Sequence, residues 1–149
     1  MSSKCSVEDN SLTCFFPADT SHVEKVLQQL TYIPFLADRE RVFFDLSLVL
    51  REALNNAIVH GADQDRSMEV ECRVSVDSEG IDIVVVSPGH GFDWEKCLEK
   101  QLPECPTQSG WGVFLIREYT DHLVFRDQGK RLECRINLDR YQEKDRQQF

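Results

Sequence analysis

The sequence contains no run of about 18 or more apolar residues, and residues 1–10 lack the basic start and apolar stretch of a signal peptide. These absences lead us to expect a cytoplasmic protein with no membrane-spanning helix. Positive charge is also scarce, since 17 Lys and Arg stand against 26 Asp and Glu, a net charge of −9. A phosphate backbone would be repelled, so we expect no direct contact with nucleic acid.

Cysteine motifs are missing as well. None of the six cysteines belongs to a Cys-x-x-Cys pair. Cys72 and Cys134 lie inside strand-like alternation, where small core residues are usual. We therefore expect reduced thiols throughout, with neither a zinc site nor a disulfide.

The chain has no internal repeat and too few residues for a second core. Its 149 residues, 41% of them hydrophobic, suit one compact domain. We place that domain at residues 11–138. Residues 1–10 are expected to form an N-terminal tail, and the polar residues 139–149 a frayed C-terminal tail.

Alternating apolar residues predict two hairpins. The first joins Ser67–Val76 to the β-branched run Ile81–Val86, and the second joins His122–Arg126 to a strand from Leu132 to Leu138. A shorter strand is expected over Leu12–Phe16. Helices are expected at about Ser21–Thr31, Asp38–His60 and Gly112–Tyr119. Strands with one apolar face need a helical layer over that face, so the predicted class is a two-layer α/β sandwich with a mainly antiparallel sheet.

The long predicted helix has two distinct sides. A wide apolar face is formed by Leu46, Leu50, Ala53, Leu54 and Ala57. Opposite it, Asp45, Glu52 and Asn56 form a narrow polar line between apolar flanks, as in a pocket wall. Glu52 and Asn56 are one turn apart, so one could act as a base while the other holds a hard cation. A Glu–Asn hydrogen bond on an exposed flank explains the same spacing.

Four of the seven glycines have no evident role in a turn or a helix end. They form two Gly-x-Gly pairs, Gly89-His90-Gly91 and Gly110-Trp111-Gly112, each beside a strand end or a helix start. A glycine-rich turn that opens a helix directs backbone N–H groups at an anion. Trp94 stands where the third glycine of a dinucleotide fingerprint is required, which excludes that motif.

These segments, taken in order, resemble a known family. Glu52–Gly61, then Gly89–Asp93, then Ser109–Ile116 opening a helix are similar to the three boxes of the Bergerat-type ATP-binding fold. The resemblance covers about Thr13–Leu138. More narrowly, the chain resembles the anti-sigma-factor serine kinases of bacterial partner-switching systems, since no histidine-phosphorylation domain accompanies the boxes.

The resemblance implies a role for each box. Glu52 would be the general base for an acceptor serine, and Asn56 would coordinate magnesium at the phosphates of ATP. Ser87, Gly89 and Gly91 would border the adenine pocket. Phosphate would be held by the start of the last helix, at Ser109, Gly110, Trp111 and Gly112. Such proteins form homodimers, bind and silence a sigma factor, and phosphorylate a serine on a STAS-type anti-anti-sigma protein.

Two positions depart from the family pattern. Ser87 stands where an aspartate normally accepts a hydrogen bond from the adenine amino group, and Gln108 stands where a basic residue commonly meets the terminal phosphate. These departures keep an alternative open. In it the chain is a non-catalytic or weakly nucleotide-binding module of the same fold that regulates by sequestration alone.

Overall fold

The structure, a computed structural model, describes residues 3–89 and 109–142. In these ranges the backbone forms a six-stranded sheet of order β1-β2-β3-β4-β6-β5, with every neighbouring pair antiparallel. The strands are β1 (Lys4–Glu8), β2 (Ser11–Pro17), β3 (Glu69–Val76), β4 (Gly80–Val86), β5 (His122–Arg126) and β6 (Arg131–Asn137). Both predicted hairpins are confirmed, as β3–β4 and β5–β6.

The described residues also contain three α-helices: α1 (Val23–Gln29), α2 (Glu40–Asn56) and α3 (Ser109–Tyr119). A 3-10 turn precedes α1, and Asp19 caps it by accepting from the Ser21 N–H at 3.0 Å. The predicted continuation of α2 to His60 is a separate turn of π-helix, Ala57–Gly61. In residues 3–89 and 109–142, no helix is long and apolar enough to span a bilayer.

The core lies between the helices and one face of the sheet. The apolar face predicted for α2 is buried, with Leu46, Leu50 and Leu54 fully enclosed. It meets alternate residues of the central strands, among them Val74 of β3 and Ile83 of β4, in one continuous cluster. This confirms the two-layer α/β sandwich, because strands with a single apolar face require that cover.

The expectation that residues 1–10 form an N-terminal tail was wrong. Lys4–Glu8 forms β1, which pairs with β2 from Lys4 opposite Phe15 to Glu8 opposite Ser11. Only Cys5 and Val7 point inward from this edge strand, and both are only partly buried. Two inward-facing residues are too few for the apolar–polar alternation of a strand to be recognised from the sequence without knowledge of the partner strand.

The expectation of reduced thiols throughout was also wrong. Cys5 and Cys14 lie directly opposite each other in the β1–β2 register, 4.1 Å apart at Cα, and are joined by a disulfide. The pair could not be anticipated once β1 was missed, because only the register brings the two residues together. Cys72 and Cys134 are free and buried, and burial raises the pKa of the Cys72 thiol to about 12.

The C-terminal segment is not frayed at its start. A helical turn covers residues 139–142, and Tyr141 within it is buried. The Tyr141 hydroxyl donates to Asp45 Oδ2 at 2.8 Å, and burial raises the pKa of Tyr141, which keeps the phenol protonated as a donor. The chain beyond β6 therefore docks against the first half of α2.

We predict that Tyr141→Phe lowers the free energy of unfolding by about 1 kcal/mol, because it removes one partly buried hydrogen bond to a carboxylate and little apolar contact. Tyr32→Phe is the matched control, since Tyr32 is 67% exposed. Urea denaturation of both variants measures the difference. Equal free energies of unfolding for the two variants would show that the Asp45 hydrogen bond does not stabilise the domain.

Candidate functional site

The site is built where the last turn of α2 meets the first turn of α3. Gly112 lies against both polar residues of α2: a Cβ placed on it would be 2.8 Å from Glu52 Oε2 and 3.3 Å from Asn56 Oδ1. Any larger residue would push these side chains away. The structure thus brings Glu52, Asn56 and Gly112 together, as the two sequence boxes predicted.

Glu52 is a half-buried carboxylate. Burial raises its pKa above the ordinary value of 4.5, and the neighbouring Arg51 opposes that rise only in part. Burial raises the pKa because a charged carboxylate loses hydration that the protein does not fully replace. A carboxylate with a raised pKa holds an abstracted proton better, so Glu52 suits the role of general base.

Asn56 ends α2 and is only 4% exposed. Its Nδ2 has no hydrogen-bond partner among the described residues. A buried donor without an acceptor is costly, so a ligand that accepts a hydrogen bond at Asn56 would recover that cost. An amide also carries a carbonyl oxygen, which is a suitable ligand for magnesium, and the residue therefore fits the predicted metal role.

The first turn of α3 leads into Gly112, which lies against these two side chains. Ser109, Gly110 and Trp111 all lie on this turn, with Gly112 next along the helix. The first N–H groups of a helix have no partner within it and carry partial positive charge, which favours an anion. The phosphate role predicted for these residues is compatible with this placement and stays a prediction.

The second glycine box reaches the same helix end from the sheet side. Gly89, which follows β4, lies against the backbone of Gly61. A Cβ on Gly89 would overlap the Gly61 carbonyl oxygen. Ser87, only 2% exposed, donates from Oγ to the Ala57 carbonyl at 3.1 Å. Gly91, the other glycine predicted at the adenine pocket, lies outside the described residues.

Two features differ from the sequence prediction. Asp45 does not join Glu52 and Asn56: it lies about 10 Å further back along α2 and accepts from Tyr141. The π turn after Asn56 was not predicted. The only local signal is a β-branched pair, Ile58 and Val59, before Gly61, and the same residues are also common in an ordinary helix end.

Most of the chain matches a known protein family. The family model described as the histidine kinase-like ATPase domain matches residues 16–136. Serine-protein kinase RsbW of Oceanobacillus iheyensis is 28% identical over 91 residues, which cover 56% of this chain and 58% of that protein. Serine-protein kinase RsbW of Bacillus subtilis is 26% identical over 86 residues, covering 53% and 54%. The chain therefore spans little more than half the length of the curated relatives it matches.

The raised pKa of Glu52 predicts how stability depends on pH. Below 4.5 the carboxyl is protonated in the folded and unfolded chains alike, and above its folded pKa the folded state carries the cost of a half-buried charge. Glu52→Gln should therefore melt at a higher temperature than wild type at pH 7. The gap should close as the pH falls below 4.5, the ordinary value.

Thermal melts from pH 4 to pH 8 measure this gap. Glu118→Gln is the control, because Glu118 is exposed on α3. A gap for Glu52→Gln that does not change across the pH range would contradict the desolvated carboxylate.

Proposed function

The chain belongs to the histidine kinase-like ATPase domain family, and we propose that it is an ATP-dependent protein-serine kinase that also acts as an anti-sigma factor. The single observation that carries the proposal is the closeness of Gly112 to Glu52 and Asn56, since a Cβ on Gly112 would lie 2.8 Å from Glu52 Oε2 and 3.3 Å from Asn56 Oδ1. The relatives that are named serine-protein kinases support it.

In this proposal each residue has a defined task. Glu52 takes the proton from the acceptor serine hydroxyl, whose oxygen then forms the new bond to the terminal phosphorus as ADP leaves. The N–H groups of the first turn of α3 hold phosphate oxygens. Magnesium, when bound, neutralises phosphate charge, and Asn56 is the residue that would hold it through its amide oxygen. Phosphoryl transfer depends mainly on such positioning and charge neutralisation.

The proposed partners follow from the resemblance to partner-switching kinases. The acceptor would be a serine on a STAS-type anti-anti-sigma protein, the silenced protein would be a sigma factor, and the kinase would act as a homodimer. A protein acceptor requires an open approach to the base. Glu52 retains partial exposure on α2, which supports access by a serine side chain from outside.

We predict that Glu52→Gln slows phosphorylation of the STAS partner by roughly 10² to 10⁴, because the amide cannot accept the serine proton. ATP affinity should change little, since the substitution conserves shape. Mass spectrometry of the partner after incubation with ATP and magnesium measures the rate, with Glu118→Gln as the control. Wild-type rates in Glu52→Gln would exclude Glu52 as the base.

The same assay separates the proposal from its alternative. If wild-type protein binds a sigma factor or STAS protein but transfers no phosphate, the sequestering module is the correct function. Ser87 and Gln108 favour that outcome, because they stand where the family has an aspartate and a basic residue.

We predict that Asn56→Ala weakens binding of Mg-ATP by roughly 10- to 100-fold, the effect expected for losing a contact to a charged group. Binding of ATP in excess EDTA should change much less. Asn55→Ala is the matched control, since it removes an adjacent amide from the same helix. Calorimetry with and without magnesium measures both. Equal losses in the two conditions would contradict a metal-ligand role for Asn56.

A further inference from the structure

The carbonyl of Ala57 accepts two hydrogen bonds at the end of α2. One comes from the Ala62 N–H at 2.8 Å and closes the five-residue π turn, and the other comes from Ser87 Oγ at 3.1 Å. A carbonyl oxygen has two lone pairs, so both are used. Turns of π-helix are rare in proteins overall, but those that occur are often found at functional sites. This one begins directly after Asn56.

Ser87 is itself held firmly from the other side. Its N–H donates to the Lys130 carbonyl at 2.7 Å, which fixes its backbone to the start of β6. Its side chain is enclosed, because a Cβ on Gly61 would lie 2.6 Å from Ser87 Cβ. Its one hydroxyl proton is used in the bond to Ala57. Ser87 therefore connects the sheet to the helix end that carries Asn56.

Ser87 also restrains the backbone next to Asn56. The carbonyl of Ala57, the following residue, accepts from Ala62 within the π turn, and the bond from Ser87 Oγ reaches it from the sheet side. The Asn56 side chain is buried and lacks a hydrogen bond of its own from Nδ2 among the described residues. The backbone that bears this side chain is held at the next residue by the hydrogen bond from Ser87 to Ala57.

We propose that Ser87 is a positioning residue, which orients Asn56 toward magnesium-bound nucleotide by holding the Ala57 carbonyl, and that it does not select the base. This inference rests on the proposed nucleotide binding. It assigns Ser87 a role different from the one the family resemblance implies, in which this position contacts the adenine amino group. The two roles make different predictions for the same substitution.

We predict that Ser87→Ala weakens binding of Mg-ATP roughly three- to tenfold, the effect of losing one neutral hydrogen bond. The loss should be equal for the magnesium complex of purine riboside triphosphate, which lacks the 6-amino group of adenine. It should disappear in excess EDTA, where Asn56 has no cation to hold. Calorimetry with the two nucleotides, with and without magnesium, measures all three.

A readout without nucleotide tests the same inference. The side-chain NH₂ signals of Asn56 in a ¹H–¹⁵N spectrum, identified by their absence in Asn56→Ala, should shift or broaden in Ser87→Ala. Thr120→Val is the matched control, because the buried Thr120 Oγ1 also donates to a helix carbonyl, that of Ile116, at 2.7 Å. It should lower the melting temperature similarly and leave the Asn56 signals and Mg-ATP affinity unchanged.

Three results would overturn the inference. A loss confined to ATP would show that Ser87 reads the base. A lower melting temperature without any change in affinity would show a purely structural role. Unchanged Asn56 signals in Ser87→Ala would show that the hydroxyl does not orient the amide. If wild type binds no nucleotide, the proposed function fails, and the Asn56 signals in the nucleotide-free variants still decide the positioning role.

Discussion

The close approach of α3 to the last turn of α2 is the contact on which the candidate site depends. Gly112 has no side chain, which allows α3 to approach α2 closely: a Cβ there would be 2.8 Å from Glu52 Oε2 and 3.3 Å from Asn56 Oδ1. A helix start and a polar pair on separate helices become one site only at this distance. The buried core beneath the site holds the two helices at this distance. Val113 of α3 and Leu54 of α2, which are neighbours of the site residues in sequence, are both fully buried.

The same geometry explains how an acidic chain can offer a site for an anion. A net charge of −9 repels phosphate at long range. The first N–H groups of a helix, by contrast, carry partial positive charge that acts over a few ångströms. Local dipoles can therefore favour an anion where overall composition does not.

Sequence reasoning succeeded where a pattern repeats within one element and failed where contacts join distant residues. The apolar face of α2 and both hairpins were predictable, because periodicity and turn residues are local. Glu52 and Asn56 were found from their one-turn spacing, and the glycine boxes gained meaning from the family resemblance. The Cys5–Cys14 pair required the register of a strand with two inward residues. The link from Tyr141 to Asp45 spans 96 positions, and no local pattern encodes it.

The site carries local costs that the rest of the fold must offset. The Asn56 Nδ2 group, which has no hydrogen-bond partner in the part of the chain that the structure describes, and the half-desolvated Glu52 carboxylate both disfavour folding, and they lie one turn apart on α2. The opposite side of that helix is a continuous apolar face in the core, and burying it supplies the compensating free energy. Proteins tolerate such costs at functional sites because the unsatisfied groups are the ones a ligand engages. Both costs lie beside the start of α3 and away from the core face, so a ligand bound at this helix end would recover them.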